Sequence, residues 1–141
     1  MKDMSAGDYL DEGYLLMSEF GFDLPAGDET EVVAARARKA LGGAALANEI
    51  TAALTAFFLS RKLYETENGS DGARVLLSDY FVSLAVKLVL PLKNSPIVDE
   101  MAARLEEKAL SGARLREKFD LKEYLDFIDK ICKKYLEHTF S

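Results

Sequence analysis

Histidine and cysteine are nearly absent from this 141-residue chain, which has one of each, His138 and Cys132. A zinc site of the usual kind needs several such ligands, and Ser-His or Cys-His catalysis needs a histidine beside the nucleophile. A lone cysteine also excludes an intrachain disulfide. No residue is therefore assigned to catalysis or to metal binding, and we interpret Cys132 as a small apolar residue on the inner face of the last helix.

Tryptophan is absent as well, and only three prolines and nine glycines occur, whereas 49% of the residues are hydrophobic and 30% are charged. This composition is typical of a globular protein rather than a disordered or fibrous one. The length allows one domain with its own core but not two ordinary ones. We expect one helical domain over residues 1–141, with an N-terminal helix and linker at 1–27 and the core at 28–141.

Basic residues are outnumbered, 18 against 24 acidic ones, and the formal net charge is −6. Nucleic acid is therefore not expected as a partner, because binding it requires a basic surface. The first residues have no apolar run after their charges, so no signal peptide is predicted. The most apolar stretch, 73–92, contains Arg74, Asp79 and Lys87, which disfavours a membrane span. We expect a cytoplasmic protein that is not integral to a membrane.

Hydrophobic spacing predicts an all-α fold of six or seven helices, since no segment alternates with a period of two. The predicted helices cover about 5–20, 28–41, 44–65, 73–92, 95–110 and 120–140. Gly21 is expected to end the first helix, and Gly42 with Gly43 to end or interrupt the second. The last helix has the most regular spacing of apolar residues, at Leu121, Tyr124, Leu125, Ile128, Ile131, Cys132, Tyr135 and Leu136.

The predicted helix at 73–92 is apolar on almost every side. Its polar exceptions are Arg74, Ser78, Asp79, Ser83 and Lys87. A helix of this kind is poorly suited to the surface of a small domain. We therefore predict that it is either the central core helix or one side of a subunit interface.

The same stretch resembles a segment of the trans-polyprenyl diphosphate synthases that reads approximately A-V-L-x-G-D-Y-L-x-S/A-x-A. The matching residues are Ala73, Val75, Leu76, Ser78 (in place of the glycine), Asp79, Tyr80, Phe81, Ser83 and Ala85. Residues 49–60 resemble the helix before that family's first aspartate-rich motif. Residues 122–130 resemble the segment ending in its Lys-Thr pair, with Lys130 matching the lysine and Ile131 replacing the threonine. The resemblance covers about residues 45–140 and implies a truncated isoprenoid-synthase fold.

The chain departs from that family at the positions that bind metal and diphosphate. One register places the aspartate-rich motif at Arg61, Lys62 and Glu65, so cations replace two metal-binding aspartates. A second register places Leu59 and Ser60 there, and neither restores the pair of carboxylates that magnesium requires. The family's basic loop is also missing, because residues 67–72 include no basic residue. The resemblance thus implies no cofactor in this chain and Mg²⁺ only in a catalytic partner.

With these departures, the chain resembles the short, non-catalytic subunit of the heteromeric hexaprenyl and heptaprenyl diphosphate synthases. The resemblance implies a catalytic large subunit as partner and a role in setting the length of the product. Candidate interface residues are Leu77, Phe81, Val82, Leu84, Val86, Leu88 and Val89. Phe57 and Phe58 are candidates for the wall of a product tunnel.

Two other readings stay open at the level of the sequence. The chain could be a helical module that homodimerises through 73–92 and has no isoprenoid role. It could instead be a small helical enzyme that uses scattered carboxylates. An apolar interface left without its partner often pairs with itself, so a homodimer of the isolated chain fits more than one reading.

Overall fold

The computed structural model describes residues 6–22, 27–44, 46–63, 71–90, 98–100, 102–103 and 121–140. Its helices are α1 (Ala6–Glu19), α2 (Gly27–Leu41), α3 (Ala47–Lys62), α4 (Asp71–Val89) and α5 (Leu121–Phe140). Residues 98–100 and 102–103 are also helical, and no described residue lies in a strand. The predicted all-α fold is confirmed. Residues 67–70 of the predicted loop at 67–72 fall outside the described residues, whereas Asp71 and Gly72 are helical because α4 begins two residues earlier than predicted. Most of the predicted helix at 95–110 also falls outside the described residues.

The end of α1 shows how the sequence sets a helix boundary. Gly21 has a φ of 82°, a left-handed conformation that glycine adopts without steric cost. The N–H of Phe22 donates to the carbonyl of Met17 (2.9 Å), and the N–H of Gly21 donates to that of Ser18 (3.1 Å). This pair of bonds is a Schellman motif, and the buried side chains of Phe22 and Met17 provide its apolar contact. The predicted stop at Gly21 is confirmed.

Helix α3 is the centre of the fold. Twelve of its sixteen residues are buried, and α1, α2 and α4 all pack against it. The Tyr124 hydroxyl of α5 donates to the Leu54 carbonyl of α3 over 2.5 Å. Alanine, serine and threonine make up much of α3, and these small side chains allow neighbours to approach from several sides.

Helix α4 has one buried side and one exposed side, so the first of its two predicted positions, the central core helix, is wrong, and the second, a subunit interface, stays a prediction. Its inner side packs on α3 and α1. Its outer side leaves Val75 48%, Leu76 65% and Leu90 57% exposed. The physical reason is geometric: the small side chains that admit neighbours on several sides belong to α3, and α4 is one of those neighbours.

Helix α1 is joined closely to α4. A Cβ added at Gly13 would lie only 2.5 Å from Phe81 Cε1, so the ring occupies the space that a side chain would need. The Tyr80 hydroxyl donates to the Tyr9 carbonyl (3.1 Å). Lys87 Nζ donates to the Tyr9 hydroxyl (3.0 Å) and lies 4.4 Å from the ring centroid. The N-terminal helix, which the sequence suggested as a segment preceding the core, is thus packed onto it.

Helix α5 covers a further side of the bundle, packing on α2. Its buried residues are Tyr124, Phe127, Ile128, Ile131, Cys132 and Tyr135. The predicted row is confirmed at all of these except Phe127, which it lacked, whereas its members Leu121, Leu125 and Leu136 are only half-buried. Arg36 Nε of α2 lies 3.3 Å from Asp129 Oδ1 of α5. Burial, and secondarily Asp129, raises the pKa of the Cys132 thiol to about 12, so the thiol stays neutral at physiological pH. None of the described helices is long and apolar enough to cross a bilayer.

Candidate functional site

A cavity of about 730 Å³ opens between α1 and α2. Helix α3 forms its floor, and Leu88 of α4 closes one side. The lining residues are Gly7, Tyr9, Leu10, Asp11 and Tyr14 of α1; Thr30, Glu31, Ala34, Ala35 and Arg38 of α2; and Asn48, Glu49, Thr51, Ala52 and Thr55 of α3. The volume falls within the range of small-molecule sites in proteins, about 300–1,000 Å³.

The lining carries an excess of negative charge. Among the described lining residues, Asp11, Glu31 and Glu49 contribute three carboxylates, and Arg38 contributes one guanidinium. Burial raises the pKa of the Tyr14 phenol above its ordinary value, and the nearby carboxylates Asp11 and Glu31 raise it further. The phenol therefore reports the negative potential inside the cavity and remains a hydrogen-bond donor.

Two threonines on the floor differ in how their hydroxyls are used. The Thr55 hydroxyl donates to the Thr51 carbonyl at 2.8 Å, one turn back along α3. The Thr51 hydroxyl is buried and finds no hydrogen-bond partner among the described residues. A buried hydroxyl without a partner costs about 1–3 kcal/mol, so Thr51 leaves hydrogen-bonding capacity unsatisfied at the cavity.

The second candidate site is the exposed side of α4, which we call the α4 outer face. It consists of Val75, Leu76, Asp79, Val82, Ser83, Val86, Lys87 and Leu90. Leu76, Asp79, Ser83, Val86 and Leu90 follow each other at steps of three and four residues, so they form a continuous row along the helix. Apolar side chains lie at both ends of this row and polar ones at its middle.

The residues that carried the family resemblance do not form one site. Ser78 is buried, and its hydroxyl donates to the Ser60 carbonyl of α3 (3.2 Å). Asp79 is exposed on the α4 outer face, and half-buried Tyr80 points to α1. Burial, followed by Glu12 and Tyr9, raises the pKa of the Tyr80 phenol. Lys130 lies on α5, beside a smaller cavity of about 300 Å³ that Glu123, Asp126 and Lys134 also line.

The position matched to the aspartate-rich motif holds a paired cation. Lys62 Nζ lies 3.0 Å from Glu29 Oε2 of α2 and 5.8 Å from the centroid of the Phe58 ring. Arg61 is half-buried, and Glu65 lies outside the described residues. Within the described ranges, no three His, Cys, Asp or Glu side chains are grouped as a metal ion requires. The two cations do not fit a magnesium site, because Mg²⁺ needs oxygen ligands.

The candidate interface residues lie mostly inside the chain's own core. Five of the seven are buried, namely Leu77, Phe81, Leu84, Leu88 and Val89. Val82 and Val86 are half-buried at the edge of the α4 outer face. The five buried residues cannot form a surface contact in this fold, because α3 and α1 already cover them. The surface that α4 offers to another molecule is the opposite one, with Val75, Leu76 and Leu90.

The candidate tunnel-wall residues belong to an aromatic cluster. The ring centroids of Phe57 and Phe58 lie 6.4 and 5.7 Å from that of Tyr124, which in turn lies 5.6 Å from that of Phe127. Neither phenylalanine lines the cavity between α1 and α2. Phe57 and Phe58 therefore pack between α3 and α5 and do not line the expected tunnel in this fold, because Tyr124 covers both rings.

No protein-family model, no curated protein and no solved structure matches this chain. Its candidate sites are therefore argued from its own residues. Sequence reasoning missed the cavity, although one signal was present. Thr51 and Thr55, one turn apart on an alanine-rich helix, place two hydroxyls on one side of α3.

Proposed function

We propose that this chain is a non-catalytic helical subunit that docks through the α4 outer face onto a larger catalytic partner. The observation that carries the proposal is the exposure of Leu76, Val75 and Leu90 on a helix whose opposite side is packed. Exposed apolar side chains in a row along one helix are typical of a surface that another helix covers.

The pattern of the α4 outer face suits a helical partner. The row at steps of three and four matches the seam of two packed helices, in which apolar residues alternate at that spacing. Leu76 and Leu90 would contribute apolar contacts at the two ends. Asp79, near the middle, would favour a partner with a hydrogen-bond donor or a cation opposite, which fixes the alignment of the two helices.

The chemistry of the partner is proposed from the resemblance of residues 45–140 to the polyprenyl diphosphate synthases. The resemblance includes α4 itself, and the paired Lys62 at the position of the family's metal ligands supports a chain without its own reaction. On this proposal the partner supplies the aspartate-rich motifs and Mg²⁺. The effect on product length would act through the docked helix α4, since Phe57 and Phe58 are enclosed in the core.

The test pairs this chain with a full-length polyprenyl diphosphate synthase from the same organism. Complex formation is measured by sedimentation, and chain elongation is assayed with isopentenyl diphosphate, an allylic diphosphate and Mg²⁺. We expect Leu76→Glu to weaken the complex at least about tenfold, because a charge would be buried in an apolar contact. Leu15→Glu is the matched control, since Leu15 on α1 is 66% exposed and Leu76 is 65% exposed.

Three outcomes would contradict the proposal. A homodimer that Leu76→Glu disrupts, with no binding to any synthase, would indicate an interaction module without an isoprenoid role. Turnover of allylic diphosphates by the isolated chain would indicate an enzyme. Equal effects of the Leu76 and Leu15 substitutions on the complex would show that the α4 outer face is not the contact.

A further inference from the structure

The cavity between α1 and α2 has features of a ligand site that the proposed subunit role does not use. It shares no residue with the α4 outer face. Most of its described lining comes from α1, α2 and α3, and both α1 and α2 pack on α3. The space is therefore part of the fold rather than a gap beside a loop.

The lining of the cavity combines apolar side chains from each of the four contributing helices with one buried polar group that has no partner among the described residues. Leu10, Ala34, Ala52 and Leu88 provide apolar surface. Thr51 is only 4% exposed, and its Oγ1 has no hydrogen-bond partner among the described residues. Because a buried hydroxyl is stabilised by any donor or acceptor that reaches it, Thr51 favours a ligand with a hydrogen-bonding group at its inner end.

The charges on the walls of the cavity favour a ligand of positive charge. Three carboxylates, on Asp11, Glu31 and Glu49, outnumber the guanidinium of Arg38. An anionic ligand would be repelled by this lining, whereas an ammonium group would be attracted to it. Burial is the main cause of the raised pKa of Tyr14, and the smaller contributions of Asp11 and Glu31 agree with a negative potential at this place.

We propose that this cavity binds a small organic amine, with the ammonium group near Asp11, Glu31 and Glu49 and a hydroxyl or carbonyl of the ligand at Thr51 Oγ1. The alanines and Leu88 contact the carbon chain between these two ends. The ligand class is thus a compact amino alcohol or amino carbonyl compound.

The charge preference is tested on the full chain with hexylamine and hexanoate, which have similar shapes and opposite charges. Binding is followed by NMR shifts of the backbone amides of residues 7–14, 30–38 and 48–55. We expect hexylamine to bind at least about tenfold more tightly than hexanoate. Replacing two wall carboxylates, Asp11→Asn with Glu31→Gln, should reduce this preference. The control is Glu12→Gln with Glu19→Gln, which changes the net charge by the same amount at residues outside the cavity. This control should leave the preference for hexylamine unchanged.

The inner end of the site is tested with aminohexanol, which adds a hydroxyl to the amine. We expect it to bind several-fold more tightly than hexylamine, and Thr51→Val to remove that advantage while preserving the shape of the side chain. Thr51→Ser keeps the hydroxyl and should keep the advantage. Thr55→Val is the control on the same wall, because the Thr55 hydroxyl is already engaged.

The proposal is overturned if hexanoate binds as tightly as hexylamine, or if the shifts fall outside the three ranges. Absence of shifts with either amine at millimolar concentration would also overturn it. An advantage of aminohexanol that survives Thr51→Val would remove Thr51 from the site. None of these results bears on docking at the α4 outer face, so the two proposals fail separately.

Discussion

Helices α3 and α4 are adjacent in sequence and pack against each other, yet they are buried to very different degrees. Helix α4 is the richer of the two in leucine and valine, but its outer side exposes Val75, Leu76 and Leu90. Helix α3 contains serine, threonine and lysine, and nonetheless residues 50–60 are all buried. The more apolar helix is thus the less buried one.

The difference shows that side-chain size and position in the bundle decided burial more than hydrophobicity did. Ala52, Ala53 and Ala56 let neighbouring helices approach α3 closely, so α3 is enclosed. Its hydroxyls are tolerated because most bond to backbone carbonyls, as Ser60 does to Phe57 over 2.6 Å. Helix α4 has large side chains on its outer side and no described helix covering them, which is the basis for the proposed docking.

The largest expected effect is a difference in stability when a leucine is replaced by alanine on α3 and on α4. Leu54→Ala on α3 removes a side chain that is 0% exposed and should lower the free energy of unfolding by about 2–5 kcal/mol. Leu76→Ala on α4 should change it by less than about 0.5 kcal/mol. Urea denaturation followed by circular dichroism measures both. A loss of several kcal/mol for Leu76→Ala would mean that the α4 outer face is covered in solution.

The inner side of α4 can be tested at its closest approach to α1. Gly13→Ala should destabilise the protein by about 1–3 kcal/mol, because the new methyl group would overlap the buried Phe81 ring. Alanine favours a helix over glycine by about 1 kcal/mol, so the clash must exceed that gain. Gly72→Ala on α4 is the control, since nothing lies within 4 Å of its added Cβ. Stabilisation by both substitutions would show that α1 and α4 are less tightly packed.

The enclosure of the core by α5 can be tested through pH. The Cys132 thiol has an ordinary pKa near 9 and a folded-state pKa of about 12, so the folded state holds the proton more strongly. Its contribution to stability is fully present below pH 9 and is lost as the pH rises towards 12, by at most about 1.4 kcal/mol per pH unit.

The measurement is the urea midpoint of unfolding, for the protein and for Cys132→Ala, at several pH values between about 8 and 11. In this range the thiol of the unfolded chain loses its proton while the folded thiol keeps it. Every other ionisable group is common to both proteins, so the difference in slope isolates the thiol. We also expect the native thiol to resist disulfide-exchange reagents until the protein unfolds. Rapid labelling of native protein, or identical slopes, would indicate that α5 does not enclose this side.

The smallest expected effect lies at the start of α3. Leu46 has a φ of 63°, which is unfavourable for a residue with a side chain. Leu46→Gly should raise the free energy of unfolding by about 1 kcal/mol or less, since the relieved strain is partly offset by the greater entropy of the unfolded chain. Leu15→Gly, inside α1, should lower it by about 1 kcal/mol. If both substitutions lower the free energy of unfolding, the contacts of the Leu46 side chain stabilise the protein by more than its backbone strain destabilises it.

Local features were the most predictable part of the molecule. The end of α1 at Gly21, the end of α2 before Gly42 and most of the inward row of α5 were confirmed. These features depend on residues within a few positions of each other. The predicted interface and tunnel wall depended on which helix covers which, and the structure places Phe81, Leu84, Phe57 and Phe58 in the core instead.

The candidate sites were likewise predictable only in their local features. The apolar character of almost every side of α4 was visible in the sequence, but which side stays exposed was not. The unpartnered hydroxyl of Thr51 could not be identified from the sequence, because Thr51 and Thr55 are alike until the cavity and its hydrogen bonds are known.

The sequence by itself determined the all-α class, several helix boundaries and the scarcity of histidine and cysteine, since these depend on residue type and local spacing. The tertiary structure alone decided that α3 is enclosed, that α4 keeps an apolar side outward, and that a cavity rich in carboxylates opens between α1 and α2. The physical reason is that periodicity gives each helix its faces, whereas contacts between distant helices decide which face is covered.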